Sequence, residues 1–135
     1  MKLIEILSVA SFVFYGGVAR AEQQACSEYK DEIVNKKPSR PMEQVRCMFN
    51  YYGMSIDNAF QKELKDNPSF QDGTIKIRLI IGSNGVQTKP PQIISSEVNA
   101  PTLDAEIIQI VSHFIFPASK GPAEEFIFPI NLYKN

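Results

Sequence analysis

The chain is poor in the residues from which metal sites and neutral-pH catalytic centres are built. It has one histidine, His113, and two cysteines, Cys26 and Cys47, among 135 residues. A structural zinc site needs four ligands, mostly of these two kinds, and general-base catalysis near neutral pH draws most often on histidine. We therefore expect no metal and no cofactor, and we predict that the protein is not an enzyme.

An excess of charge of either sign is also missing. The sequence has 14 basic and 15 acidic residues, for a net charge of −1. Nucleic acids and anionic membranes favour proteins with concentrated lysine and arginine, so we expect neither as a partner. No pattern indicates a small-molecule substrate. The short basic cluster of Lys36, Lys37 and Arg40 is interpreted as a solvated linker.

Long apolar runs are absent except at the start of the chain, between Ile6 and Ala19. That run of about fourteen residues is shorter than the roughly twenty that span a bilayer as a helix. Lys2 precedes it and Ala19-Arg20-Ala21 follows it, an arrangement typical of a secretory signal peptide. We predict that residues 1–21 are a signal peptide cleaved after Ala21, and that the protein is periplasmic. An uncleaved membrane anchor is the alternative.

The two cysteines form an isolated pair. In an oxidising compartment such a pair indicates a disulfide rather than a metal site, so we predict a bridge between Cys26 and Cys47, with two free buried thiols as the alternative. A bridge that closes a loop of about twenty residues contributes roughly 3 kcal/mol by restricting the unfolded state.

Two segments have apolar residues at helical spacing. The first runs from Met42 to Asp66, is interpreted as one long helix bent at Gly53, and ends before Pro68. The second runs from Leu103 to Phe114. Asn99 or Thr102 is expected to cap its start.

The segment between the predicted signal peptide and the long helix, residues 22–41, is predicted as a helical arm or linker. Its helical part is expected from Gln23 to Asn35. The predicted disulfide would then attach this arm to the long helix.

Three segments alternate apolar and polar residues with the period of a half-buried strand. The first covers Ile75 to Ile81, the second starts at Val86 and resumes through Ile93 to Ser95, and the third covers Phe126 to Tyr133. Asn84-Gly85 lies between the first two and indicates a hairpin turn in which both residues adopt positive φ.

Proline placement predicts the order of these strands, because a proline cannot donate to a strand ladder and is confined to edges, strand starts or bulges. The second strand contains Pro90 and Pro91, the third contains Pro129, and the first contains none. We therefore predict an α+β domain over residues 42–135. Its three-stranded antiparallel sheet has the order second, first, third, and the two main helices pack on one face.

An ordered series of short motifs resembles the TonB C-terminal domain superfamily over about residues 56–134. The members of the series are the stretch Gly73 to Val86, Ile94-Ser95-Ser96, Leu103-Asp104, Phe116-Pro117, Gly121 and Phe128-Pro129-Ile130. The preceding Ala59-Phe60, Leu64 and Asn67-Pro68 are closer to the branch of the AgmX/PglI gliding-motility proteins.

The resemblance implies a protein-binding function. In TonB-like domains the third strand is an exposed edge to which an extended segment of a partner adds as a further strand. The implied partner is an outer-membrane or periplasmic protein. The implied docking edge consists of Glu125, Phe126, Ile127, Phe128, Ile130, Asn131 and Tyr133.

Energy-transducing TonB proteins have a membrane anchor and a long proline-rich spacer. Neither is expected in this chain, so we predict an adaptor or subunit of an envelope complex. Two alternatives remain open: a structural subunit of an envelope motility or secretion machine, and an anchored energy transducer if the N-terminal segment is not cleaved.

Potential catalytic groups are interpreted structurally. A Ser95 nucleophile would need a base and an oxyanion site, and His113 is expected to be solvated near a helix C-terminus. The carboxylates Glu124-Glu125 and Asp104 with Glu106 are expected to be solvated surface charges. Nothing in the pattern supplies the dry pocket that would separate their pKa values.

Overall fold

The computed structural model describes residues 24–134. The predicted signal peptide and its cleavage after Ala21 lie outside these residues. In chain order the described elements are β1 (Glu32–Val34), β2 (Lys37–Ser39), α1 (Met42–Tyr51), α2 (Gly53–Asp66), β3 (Gly73–Ile81), β4 (Gln92–Ser96), α3 (Pro101–Val111) and β5 (Glu124–Leu132). Within residues 24–134, no helix is both long and apolar enough to cross a membrane.

The main sheet has three antiparallel strands in the order β4-β3-β5. Since β3, β4 and β5 correspond to the first, second and third predicted strands, the predicted α+β sheet and its order are confirmed. The predicted start of the second strand at Val86 is wrong, because β4 begins only at Gln92, after Pro90 and Pro91. The strand without proline is central because each of its N–H groups can donate to a neighbour. Along β3 the residues alternate between buried and more exposed positions, so the sheet has one covered face.

The helices supply the cover for that face. Their apolar residues join the inward residues of β3 in a single hydrophobic core. The largest fully buried side chains of this core are Phe114, Phe116, Met48, Ile75, Ile77, Leu79, Ile81, Leu103 and Ile107.

The predicted long helix is two helices, α1 and α2, which meet at Tyr52 and Gly53. Gly53 is the first residue of α2, in agreement with the predicted bend. The cap predicted for α3 is wrong. Ala100 occupies the N-cap position without a side-chain hydrogen bond, and Pro101 follows at the helix start, where its missing N–H costs nothing.

Beyond Gln24 the predicted helical arm is also wrong. Residues 25–29 form turns, and β1 and β2 then form a two-stranded hairpin. Asn35 and Lys36 connect the strands with φ of 52° and 67°, the left-handed conformations that a two-residue type I′ hairpin turn requires. The spacing of Tyr29 and Ile33 indicated a helix, but the turn geometry and β-branched residues produced a hairpin.

The N-terminal segment is joined to the domain by the Cys26–Cys47 disulfide, which the structure contains. The interpretation of Arg40 as part of a solvated linker is wrong, since its side chain is only 4% exposed. Its guanidinium donates to Pro117 O at 2.6 Å, to Gly82 O at 3.0 Å and to Gln44 Oε1. Lys36 and Lys37, in contrast, are exposed.

The turn after β3 differs from the prediction. Only Gly85 has positive φ, at 88°, and Asn84 does not. The Gly85 N–H donates to Gly82 O at 2.9 Å, and Gly82 N–H donates to Val86 O at 2.9 Å. A tight turn followed by one left-handed glycine is the three-residue form of hairpin loop. A Cβ on Gly85 would lie 1.9 Å from Phe116 O, so this position also requires glycine for close approach.

Candidate functional site

The outer edge of β5 is the longest regular backbone edge of the main sheet. β5 pairs with β3 through nine consecutive residues. In the part of the chain that the structure describes, no strand pairs with its other side, because β1 and β2 form a separate sheet. Among the described residues, the backbone groups on that side thus have no strand partner.

An open groove of about 470 Å³ lies along this edge, between β5 and the helices α1 and α2. That volume is within the range of roughly 300–1,000 Å³ typical of ligand pockets. The helices contribute Phe49, Asn50, Gly53, Ile56, Asp57 and Phe60. From the last strand and its end come Phe128, Pro129, Ile130, Asn131, Leu132 and Tyr133.

The floor of the groove is apolar and rigidly packed. Phe49, Ile56 and Phe60 are 4%, 8% and 7% exposed. The ring of Phe49 stacks on that of Phe128 with a centroid distance of 4.1 Å and meets Phe114 edge-on at 4.9 Å. Because these rings also belong to the core, the floor is fixed before any ligand arrives.

Gly53 leaves an opening in the helical wall. A Cβ built at this residue would have no neighbouring atom within 4 Å. Its φ is not in the left-handed region, so the backbone would accept another residue there. Gly53 lines the groove, and the space beside its Cα is open.

Asp57 provides the electrostatic character of the groove. It is the one charged side chain in the described lining, which contains no lysine or arginine. Asp57 is exposed at the rim, where its Oδ1 accepts a long hydrogen bond from Gln61 Nε2 at 3.5 Å. The groove thus combines an apolar floor with one carboxylate.

Pro129 determines which backbone groups the edge offers. It pairs with Lys76 within an unbroken register. Along an antiparallel edge strand, N–H groups alternate between pointing at the neighbour and pointing away, and a proline fits without loss only where its N would point away. By this alternation the N–H groups of Ile127 and Asn131 point outward, with a gap at Pro129 between them.

The predicted docking residues divide into two groups. Phe128, Ile130, Asn131 and Tyr133 line the groove. The other three, Glu125, Phe126 and Ile127, precede it. Phe126 is buried at 8% exposure, whereas Ile127 is 46% exposed.

The uncovered face of the sheet carries polar contacts around these residues. Glu125 Oε2 pairs with Arg78 Nε at 2.6 Å. Asn131 Oδ1 accepts a hydrogen bond from Thr74 Oγ1 at 2.7 Å. These contacts keep the outward side chains of β5 in place beside the central strand.

The N-terminal segment forms hydrogen bonds with the start of β5. Glu124 accepts hydrogen bonds from Ser39 Oγ at 3.0 Å and from the Arg40 N–H at 2.9 Å. Burial lowers the pKa of the Arg40 guanidinium, and the charges of Asp31 and Glu124 oppose that shift. Among the described residues, this segment forms no strand pairing along the edge from Ile127 onward.

Four of the groups weighed as catalytic, Asp104, His113, Glu124 and Glu125, form local polar contacts. Glu124 and Glu125 are not a pair, since one binds the N-terminal segment and the other binds Arg78. Asp104 Oδ1 accepts a hydrogen bond from Ser96 Oγ at 2.9 Å, and burial raises the pKa of this carboxyl. His113 is exposed, with Nδ1 2.8 Å from Gln109 O.

The helical wall of the groove is the part of the site that the sequence did not reveal. In the sequence, Phe49, Ile56 and Phe60 belong to the apolar side of the predicted long helix, and Phe60 is also part of the motif series. Gly53 was interpreted only as a bend. These residues form the site because they lie close to β5. The spacing of residues along a helix gives no information on that proximity.

No protein-family model, curated protein or solved structure matches this chain. The likeness to TonB C-terminal domains therefore rests on the motif series in the sequence.

Proposed function

We propose that the protein is a periplasmic protein-binding module, an adaptor or subunit of an envelope complex, that accepts an extended segment of another protein as a fourth strand on β5. The observation that carries the proposal is the long outer edge of β5, unpaired in the described chain and bordered by an apolar groove. Strand addition uses this combination, in which main-chain hydrogen bonds provide affinity and alternate side-chain pockets provide specificity.

The expected affinity of a single short segment is modest. Each added hydrogen bond contributes about 0.5–1.5 kcal/mol net, and Pro129 removes one donor from the middle of the row. Burial of apolar side chains in the groove adds about 25 cal/mol per Å². Such an edge suits a reversible adaptor.

The periplasmic location rests on two observations. The N-terminal sequence has the pattern of a secretory signal peptide, and the Cys26–Cys47 disulfide is compatible with an oxidising compartment. The resemblance to TonB C-terminal domains supports the same location and the same mode of binding.

A proline exchange tests the proposal. Ile127→Pro removes an outward N–H without affecting the pairing with β3, so capture of an envelope partner should be lost while the thermal unfolding temperature changes little. The matched control is Ile94→Pro. Ile94 is the extra residue where the register between β3 and β4 shifts, and bulges tolerate proline.

The measurement is affinity capture from an envelope extract followed by mass spectrometry. Wild type and the Ile94→Pro variant should retain the same protein, and the Ile127→Pro variant should not. Equal capture by all three proteins would refute docking on β5.

A second candidate function is favoured by the β1–β2 hairpin. Ile33 and Val34 are 73% and 48% exposed, so the hairpin could serve as the contact of a structural subunit in a motility or secretion machine. Replacing both residues by serine should then dissolve the assembly without changing capture on β5. Co-purification of the assembly with each variant distinguishes the two functions.

A further inference from the structure

We infer that the segment bound by β5 carries an aromatic or bulky aliphatic residue that enters the groove beside Gly53, and a lysine or arginine that faces Asp57. This inference rests on the proposed function and specifies its partner. The occupant is a segment of a different protein.

The apolar part of the inference follows from the groove itself. A strand added to β5 points every second side chain towards α1 and α2, and those side chains meet Phe49, Ile56 and Phe60. The empty space at Gly53 lies on this side. Only a large apolar side chain fills it and excludes water from the buried rings.

The charged part follows from Asp57. With no cation in the described lining, a partner that places a basic group at the rim gains a complementary charge. Because Asp57 is exposed, the gain is limited to about two- to fivefold in affinity. A partner with a carboxylate at the same place meets repulsion instead.

A second copy of this chain fits the edge less well. Pairing two β5 strands would bring two interrupted donor rows together, since each contains Pro129. The edge strand also carries Glu124 and Glu125 and no basic residue within its own span. It therefore offers no cation to Asp57 from that strand.

The test uses a display library of random linear peptides, selected separately on the oxidised wild-type protein and on two variants. Gly53→Trp fills the opening, and Asp57→Lys reverses the charge of the rim. Gly53→Ala serves as the matched control because it makes the same backbone change with little added volume. Thermal unfolding of each variant verifies that the domain is folded.

Peptides enriched by wild type and by the Gly53→Ala variant should share one aromatic or bulky aliphatic residue and one basic residue. The Gly53→Trp variant should bind them at least tenfold more weakly by fluorescence anisotropy. Selection on the Asp57→Lys variant should exchange the basic residue for an acidic one. Enrichment that neither substitution alters would overturn the inference.

A further selection on the Ile127→Pro variant separates this inference from the proposed function. Peptides that require an intact Ile127 position but show no aromatic or basic preference would overturn the inference alone. If no selected peptide responds to Ile127→Pro, docking on β5 fails as well. A dimer seen by sedimentation and abolished by Gly53→Trp would identify the occupant as a second copy and overturn the assignment of a different protein.

Discussion

The two edges of the three-stranded sheet differ in length and regularity. β5 offers nine residues in unbroken register with β3, whereas β4 has five residues and a register shift opposite Lys76 and Ile77. Pro90 and Pro91 stand directly before β4. Short strands, bulges and prolines are the devices by which proteins protect sheet edges from unwanted pairing. β4 has all three.

The β5 edge carries one of these devices, Pro129, and is bordered by a groove. The edges also differ in how they are held. The start of β5 is bound to the N-terminal segment through Glu124, and the end of β4 is bound to α3 through Ser96 and Asp104. The described structure therefore protects the β4 edge against further pairing more than it protects the β5 edge.

The largest expected effect comes from the buried guanidinium of Arg40, which joins the N-terminal segment to the rest of the domain. Arg40→Ala removes the guanidinium that donates to Pro117 O and Gly82 O and leaves these buried carbonyls without that donor, while the backbone N–H of residue 40 can still reach Glu124. Because three hydrogen bonds of a charged group are lost, we expect a loss of about 3–5 kcal/mol in unfolding free energy, measured by urea denaturation. Hydrogen exchange should accelerate at the start of β5 more than in β4.

Arg40→Lys is the control for that variant. It retains the positive charge but not the forked donor geometry, so its loss should be smaller. An Arg40→Ala protein within about 1 kcal/mol of wild type, against the 3–5 kcal/mol expected, would show that the Arg40 guanidinium contributes little to the stability of the domain.

The disulfide should have the next largest effect. Replacing Cys26 and Cys47 by serine releases a loop with a sequence separation of 21 residues, and should lower the unfolding free energy by about 3 kcal/mol. Reduced wild type should match the double variant. If hydrogen exchange then rises equally in β4 and β5, the N-terminal segment does not distinguish the two edges.

Pro129→Val should strengthen the β5 edge, in contrast to the two exchanges above, which weaken the domain. It restores the missing outward donor of β5 and should tighten partner binding by about 0.5–1.5 kcal/mol, or roughly two- to tenfold. The same exchange at the exposed Pro90, before β4, should have no effect on binding. Titration calorimetry with a captured partner segment provides the measurement.

The smallest effect concerns the β4 side and depends on pH. Burial raises the pKa of Asp104 above its ordinary value of 3.8, so the folded state holds this proton more tightly than the unfolded state. The contribution of Asp104 to stability therefore falls as pH rises from 3.8 through its folded-state pKa.

In Asp104→Asn, the neutral amide resembles the protonated carboxyl, so the variant lacks the pH dependence of stability that Asp104 causes. The variant should be at least as stable as wild type at neutral pH, and the difference between them should shrink as pH falls through the same window. Urea denaturation across that window measures both. A difference that grows towards low pH would contradict the raised pKa.

Strand order was predictable because proline imposes a local rule. The absence of an N–H at Pro90, Pro91 and Pro129 restricts the strands that contain or follow them to edges or strand starts, whatever packs around them. The N-terminal segment was not predictable in the same way. Its helical spacing is only a few residues long, and the left-handed turn at Asn35 and Lys36 outweighs it.

Arg40 illustrates a second limit of sequence reasoning. Beside Lys36 and Lys37 it resembled one more solvated charge. Its burial depends on carbonyl groups of Pro117 and Gly82 that are distant in the chain. No local sequence pattern predicts these hydrogen bonds, because the donor and its acceptors come together only in the folded domain.

The amino-acid sequence by itself determined the elements of the main sheet, their order and the pairing of the two cysteines. Residue periodicity and the missing N–H of proline act locally in the chain, and two cysteines allow only one disulfide. Only the tertiary structure decided that α1 and α2 run beside the outer edge of β5, that Gly53 opens towards it and that Asp57 stands at its rim. A groove is made by residues from separate elements, so its shape and charge exist only once those elements have packed.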